Sequence, residues 1–257
     1  MKGVKKIIAF LFKALYVMLY ILGILTIYPL FNLQKKLGRI EEVYLEKGLA
    51  WNKGKRQYVS NHPTWLDQFF TIGLRLGFFG TNYVPFIVIA EDSIKRIPWL
   101  DWLKKTYFLI PIERRGSFGI LKEHIKNLEF LLTNGYNLMM AGASGRDFKV
   151  DDDQKVFSPI KGKPLRKFTN LCGYLSILPG VETIPFYIEG TEKFYREIIV
   201  NGEREAEFSS YNFVVRFLIL GNIKVKVIYG VKLVLEGKSP REATKVIQEK
   251  VLSLLDY

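Results

Sequence analysis

A histidine and an aspartate lie five positions apart in the stretch SNHPTWLD. The preceding run RQYVS, residues 56–60, predicts a short strand, and Asn61 is a favoured cap for the helix that would follow. His62 is therefore expected at a strand end, with Asp67 one helical turn later and within reach of the imidazole. A carboxylate that accepts a proton from one ring nitrogen leaves the other nitrogen free as a base. With only two histidines in 257 residues, His62 is the leading candidate base, although a capping or packing histidine is the alternative interpretation.

Two later predicted strands, residues 107–112 and 136–141, also end in polar residues. Arginine grips a phosphate through a planar, two-pronged contact, so arginines at strand ends are candidates for binding one. The alternative interpretation is a pair of solvated turns with local ion pairs. The candidate residues are Glu113, Arg114 and Arg115 at the first strand end, and Ser144, Gly145, Arg146 and Asp147 at the second.

Predicted strands alternate with predicted helices from residue 56 onward, which is typical of an α/β domain with a mostly parallel central sheet flanked by helices. In such sheets ligands gather where the strands end. His124 is expected on the exposed surface of an amphipathic helix, and Cys172 in the core. The remaining predicted strands are 83–90, 183–188 and a pair within 224–235, and the predicted helices are 65–76, 94–105 (broken by a proline), 117–134, 164–178 and 240–255.

Residues 14–31 carry no charge and are almost entirely apolar, close to the ~20 residues that a membrane-crossing helix needs. A second, amphipathic helix is predicted from about Pro29. Its apolar face would carry Leu30, Leu33, Leu37 and Ile40, with Lys35, Lys36 and Arg39 elsewhere on its surface. This pattern favours a helical hairpin that enters one leaflet; a single span and a buried core helix are the alternatives. The predicted division is a membrane anchor over residues 1–45 and a catalytic domain over residues 46–257.

The chain has 38 Lys and Arg against 25 Asp and Glu, a net charge of +13, which favours an anionic partner. Because these cations are scattered and no nucleic-acid motif is present, membrane lipid is the expected partner and nucleic acid is not. A single cysteine excludes a disulfide framework. Without a phosphate loop, a dinucleotide fingerprint or a spaced ligand cluster, no metal or nucleotide cofactor is predicted.

Asn61, His62 and Asp67 together resemble the His-x4-Asp signature of the glycerophospholipid acyltransferases. Residues 112–114 (IER) are similar to the second block of that family, and residues 184–186 (IPF) to its fourth. The third block departs, because Ala143 stands where lysophosphatidic acid acyltransferases have glutamate. The sequence around Arg146 is more similar to the form found in soluble glycerol-3-phosphate acyltransferases.

The resemblance implies transfer of a fatty acyl group from acyl carrier protein or coenzyme A to a hydroxyl of a glycerol phosphate lipid. It implies that His62 is the base, that Asp67 orients it, and that Arg114 and Arg146 bind the phosphate, with Asn61, Glu113, Ser144 and Gly145 in support. The expected location is the cell membrane, with a monotopic or single-pass anchor and a cytoplasmic catalytic domain. Acylation of glycerol 3-phosphate or another polar lipid, and a non-catalytic basic lipid-binding protein, are the alternatives. The sequence gives no prediction of oligomeric state.

Overall fold

The computed structural model describes residues 28–47, 54–61, 86–90, 109–112, 118–143, 154–200 and 203–257. Within these residues an eight-stranded sheet forms the centre of the molecule. Its strands are β1 (Ile40–Tyr44), β2 (Arg56–Ser60), β3 (Phe86–Ala90), β4 (Leu109–Ile112), β5 (Leu138–Ala141), β8 (Glu182–Glu189), β11 (Val225–Tyr229) and β12 (Leu233–Val234). Two short hairpins stand apart from it: β6 (Lys155–Phe157) with β7 (Pro164–Arg166), and β9 (Tyr195–Val200) with β10 (Glu203–Phe208).

The order across the sheet is β1, β11, β8, β2, β5, β3, β4, with β12 paired to β8. β2 is parallel to both of its neighbours, and β3 is parallel to β4 and β5. β11 and β12 run antiparallel to β8, and β1 runs parallel to β11. The predicted α/β fold with a mostly parallel sheet is therefore confirmed. β2, β3, β4, β5 and β8 all end at one edge of the sheet, which we call the carboxyl edge.

Both faces of the sheet are buried, so the side chains that alternate along each strand enter the core on both sides. Tyr58 packs on one face and Val59 on the other. The first face is covered by a helical segment at residues 28–36 and by a π-helix, Tyr211–Ile219. The second face is covered by three helices: α1 (Phe118–Thr133), α2 (Asn170–Ser176) and α3 (Pro240–Leu254).

The sequence explains why α3 begins where it does. Ser239 accepts a hydrogen bond from the Glu242 amide, and the Glu242 carboxylate accepts one from the Ser239 amide, which together make a capping box. Its apolar stripe packs against α2 so closely that a Cβ on Gly173 would lie 2.1 Å from the Pro240 carbonyl oxygen. The small residue at position 173 thus brings α2 and α3 together over the sheet.

Several predicted elements differ from the observed ones. The helix expected over 164–178 is confirmed only at Asn170–Ser176, because its first residues form β7 and pair with β6. The strand pair expected within 224–235 exists, but β11 and β12 each pair with β8. His124 lies in α1 as predicted, yet it is half-buried rather than exposed. The helices predicted over 65–76 and 94–105 lie outside the described residues.

The amphipathic helix predicted from about Pro29 is observed at residues 28–36, although the predicted stripe is only partly right. Ile40 belongs to β1 and is buried, and the helix turns Phe31 and Gln34 toward the core. No helix in the described ranges combines the length and the apolar character needed to cross a bilayer. Residues 1–27 lie outside those ranges, so the hairpin and the division at residue 45 stay predictions.

Candidate active site at the carboxyl edge

β2 carries the chain to the predicted catalytic residues and is fixed at both of its ends. At its start, Arg56 Nε donates to Glu182 Oε2 at 2.8 Å, across the pairing with β8. At its end, Asn61 Nδ2 donates to the Ile188 carbonyl and Asn61 Oδ1 accepts from the Ile188 amide, both at 2.9 Å. Asn61 is 3% exposed, so these two bonds form away from water. They hold the backbone in place one residue before His62.

The end of β5 lies directly beside the end of β2. Gly142 N donates to the Ser60 carbonyl at 2.9 Å, which extends the ladder one residue past the strand. The Gly142 carbonyl then accepts from the Thr169 amide at 2.9 Å, and the Phe168 ring lies where a Cβ on residue 142 would be, 2.3 Å from its position. A side chain at residue 142 would therefore displace the Phe168 ring from its position beside the end of β5.

Of the sequence-predicted site residues, the structure describes Asn61, and it places this residue at the carboxyl edge. The others lie outside the described residues, but each follows a strand that ends there. These residues are His62, Asp67, Glu113, Arg114, Ser144, Gly145 and Arg146.

The strand order shows which of the two candidate arginines follows a strand closer to β2. Adjacent strands lie about 5 Å apart. β5, which leads toward Arg146, is next to β2, whereas β4, which leads toward Arg114, is three strands away, roughly 15 Å. The segment that carries Arg146 therefore begins nearer to the one that carries His62.

Sequence reasoning missed one charged pair at this edge. Lys163 Nζ donates to Glu189 Oε1 at 2.7 Å and lies 5.7 Å from the centre of the Tyr187 ring. Glu189 ends β8 and follows Ile188, the partner of Asn61. The prediction of a helix from residue 164 hid the β6–β7 hairpin that brings Lys163 here; the turn signal Lys-Gly-Lys at 161–163 could have revealed it.

Cys172 is a core residue, as predicted. Its thiol is fully buried and donates to the Thr169 carbonyl, and burial raises its pKa to about 12. A thiol with this pKa is not a nucleophile at neutral pH. Within the described ranges no group of three His, Cys, Asp or Glu side chains could hold a metal ion. The absence of a metal or nucleotide cofactor stays a prediction, because most candidate residues lie outside those ranges.

No protein-family model and no curated protein matches this sequence. Among solved structures, the chain is similar to the crystal structure of the 1-acyl-sn-glycerophosphate (LPA) acyltransferase, PlsC, from Thermotoga maritima. The TM-score is 0.49 and the identity 17%, over 98% of this chain and 96% of that one. At this TM-score and identity, the similarity does not indicate which reaction this chain catalyses.

Proposed function

We propose that this chain is an O-acyltransferase that moves a fatty acyl group from a thioester to a hydroxyl of a glycerol phosphate lipid. The acceptor we propose is 1-acylglycerol 3-phosphate, which gives phosphatidic acid. The observation that carries the proposal is the attachment of Asn61 to Ile188. It holds Asn61, the residue immediately before the His-x4-Asp sequence, at the edge of an α/β sheet where ligands usually bind.

The order of the strands supports the same assignment. The segments that resemble the family's first three blocks follow β2, β4 and β5, and all three strands end at the carboxyl edge. The fourth block, Ile184–Phe186, lies within β8, the other neighbour of β2. The strands that lead into three of these segments, and the strand that contains the fourth, therefore belong to one sheet, although the four segments span more than 120 residues of sequence.

The proposed reaction is a direct transfer. His62 takes the proton of the acceptor hydroxyl as its oxygen attacks the thioester carbonyl carbon, and Asp67 orients the imidazole and stabilises its protonated form. The C–S bond then breaks, and the donor leaves as a thiol after taking the proton from His62. Arg114 and Arg146 bind the acceptor phosphate, with Glu113, Ser144 and Gly145 in support. No metal or nucleotide cofactor takes part.

We further propose that residues 1–45 attach the protein to the cell membrane, either as a monotopic anchor or as a single span, with the catalytic domain in the cytoplasm. The donor is an acyl carrier protein or coenzyme A thioester. Both the lipid acceptor and the acyl chain partition into a bilayer, so a membrane-attached enzyme meets them at high local concentration.

The residue at position 143 supports a second candidate for the acyl acceptor. Ala143, in place of the family's glutamate, is buried directly after the Gly142–Phe168 contact, and the sequence continues with Ser144, Gly145 and Arg146. This form resembles soluble glycerol-3-phosphate acyltransferases, so glycerol 3-phosphate is the alternative acceptor. A non-catalytic lipid-binding protein is the third outcome of the test below.

The test is an acyl-transfer assay with purified full-length protein in mixed micelles, with radiolabelled acyl-CoA or acyl-ACP. The acceptors are 1-acylglycerol 3-phosphate, glycerol 3-phosphate and a lysolipid without a free phosphate monoester. We expect labelled phosphatidic acid from the first acceptor. Product from glycerol 3-phosphate alone would support the second candidate, and no product from any acceptor and either donor would overturn the enzymatic proposal.

A further inference from the structure

The π-helix Tyr211–Ile219 leaves large apolar side chains uncovered. Ile219 is 61% exposed and Leu220, directly after it, is 56% exposed. On the neighbouring helical segment 28–36 and the turn after it, Leu33 and Leu37 are about half exposed. Soluble proteins rarely expose contiguous apolar patches of this kind without a partner. We call these residues, together with Leu30 and Val214, the apolar face.

Arg39 joins the two helical elements into one unit. Its guanidinium donates to the Gln34 side chain at 2.9 Å, to the Ile219 carbonyl at 2.9 Å and to the carbonyls of Phe217 and Leu218. A cation that binds the last carbonyls of a helix offsets the helix dipole there. Leu37 is two residues from Arg39, so the segment that carries this exposed leucine lies beside the end of the π-helix.

The apolar face lies at the carboxyl edge. β1 starts at Ile40, just after Arg39, and pairs with Val225 at the start of β11. Since β11 is antiparallel to β8, the starts of β1 and β11 lie beside the end of β8. The end of β8 is also where Asn61 binds. The uncovered leucines and the candidate active site therefore share one edge of the sheet.

The charge around the apolar face is positive. Residues 28–40 and 208–226 contain six Lys and Arg and no Asp or Glu. Lys35 pairs with Glu42 and Lys226 with Glu41, which leaves a net positive charge on this surface. Immediately before it along the chain, residues 14–27 are free of charge and almost entirely apolar. Apolar side chains framed by cations are the composition that binds an anionic bilayer surface.

We propose that the π-helix is a second membrane-binding element, and that the apolar face rests on an anionic lipid bilayer with the carboxyl edge turned toward it. This goes beyond the anchor proposed for residues 1–45, because a segment far later in the chain also contacts lipid. A site at this edge receives lipid from the membrane without exposing it to bulk water.

Single-cysteine fluorescence tests the proposal on the full chain reconstituted in phosphatidylcholine–phosphatidylglycerol vesicles. The only native cysteine, Cys172, is buried and unreactive, so Ile219→Cys can be labelled selectively with an environment-sensitive dye. Val234→Cys is the matched control, because Val234 is 65% exposed and β12 pairs with the start of β8, at the opposite edge of the sheet. We expect brominated lipid to quench the label at 219 at least about threefold more than at 234, and aqueous iodide to do the reverse.

Equal quenching at the two positions would overturn the proposal. A label at 219 that is shielded from both quenchers would also overturn it, and would indicate that a second copy or another part of this chain covers the face. The same measurement on a His62→Ala background should give the same result, so a failure of the proposed catalysis leaves this test intact.

Binding strength gives a second measurement. The double variant Ile219→Asp, Leu220→Asp should lower the vesicle partition coefficient about tenfold or more, and Val234→Asp should change it less than about twofold. Because the N-terminal segment also binds lipid in our proposal, the comparison with Val234→Asp decides the outcome. Equal losses in the two variants would contradict a role for the π-helix.

Discussion

Replacing Asn61 by alanine removes the two hydrogen bonds that join the end of β2 to β8. The Ile188 amide and carbonyl, both paired with the Asn61 side chain at 2.9 Å, then lose their partners. Ile188 is fully buried and Asn61 nearly so, and alanine offers neither a donor nor an acceptor. The change therefore leaves two polar backbone atoms unsatisfied beside the candidate site.

The magnitude follows from the cost of unpaired buried groups. Each buried donor or acceptor without a partner costs about 1–3 kcal/mol, so the loss of two partners should lower the free energy of unfolding by about 2–6 kcal/mol. For a chain of this size that corresponds to a fall in Tm of roughly 4–24 °C. Because the released backbone immediately precedes His62, kcat should also fall, by about 10- to 100-fold, at temperatures where the variant is folded.

Urea unfolding followed by circular dichroism measures the first effect, as a lower midpoint at an unchanged m-value. Asn134→Ala is the matched control, because the Asn134 side chain donates to the Phe130 carbonyl at 2.7 Å but at an exposed site. Loss of this exposed hydrogen bond should lower the free energy of unfolding by no more than about 1 kcal/mol. If Asn61→Ala and Asn134→Ala are equally stable, the account of how β2 is held is wrong.

Four further predictions follow from the described residues. Gly190→Ala should destabilise the protein far more than Gly237→Ala. Both glycines have positive φ, but only at residue 190 would an added Cβ meet a carbonyl oxygen, at 2.1 Å. Thermal unfolding of the two variants measures the difference. Cys172 should resist alkylation at pH 8 until the protein is unfolded, as mass spectrometry would show; rapid native labelling would contradict its burial. Arg39→Ala should lower the free energy of unfolding by about 2 kcal/mol, and Arg39→Lys by less, because lysine keeps the charge but not the fork. Burial raises the pKa of Glu182, but hydrogen bonds from Lys232 and Arg56 outweigh it and hold the pKa below its ordinary value. The stability from this group is therefore present above the pKa of the unfolded chain and is lost as the pH falls through the lower folded pKa. Glu182→Gln should remove this loss from acid titrations of stability.

Elements with strong local signals could be predicted from the sequence. β8 is largely a run of apolar and β-branched residues, β2 contains the strand-favouring pair Tyr58 and Val59, and α3 combines a proline start with a capping box. The end of α1 is marked by Gly135, whose positive φ of 83° stops the helix. These features depend on neighbours in the sequence, so a single chain reveals them.

The features that were missed depend on distant partners. β6 and β7 have three residues each and are stabilised by pairing with one another and by Leu165 in the core. The π-helix is apolar enough to be read as a strand, and its end is fixed by Arg39 from the far end of the chain. For the site, the sequence placed Asn61 at a strand end, but only the strand order shows that Ile188 receives its side chain.

The dependence of acyl transfer on His62 tests the central claim most directly. Conversion of labelled acyl thioester into phosphatidic acid should be measured for the parent chain, for His62→Ala and for His124→Ala. The last variant is the control, because His124 is the other histidine of the chain. Loss of a general base typically costs about 100- to 10,000-fold, so His62→Ala should be nearly inactive while His124→Ala keeps most of its activity. Equal turnover by a folded His62→Ala variant would contradict the account.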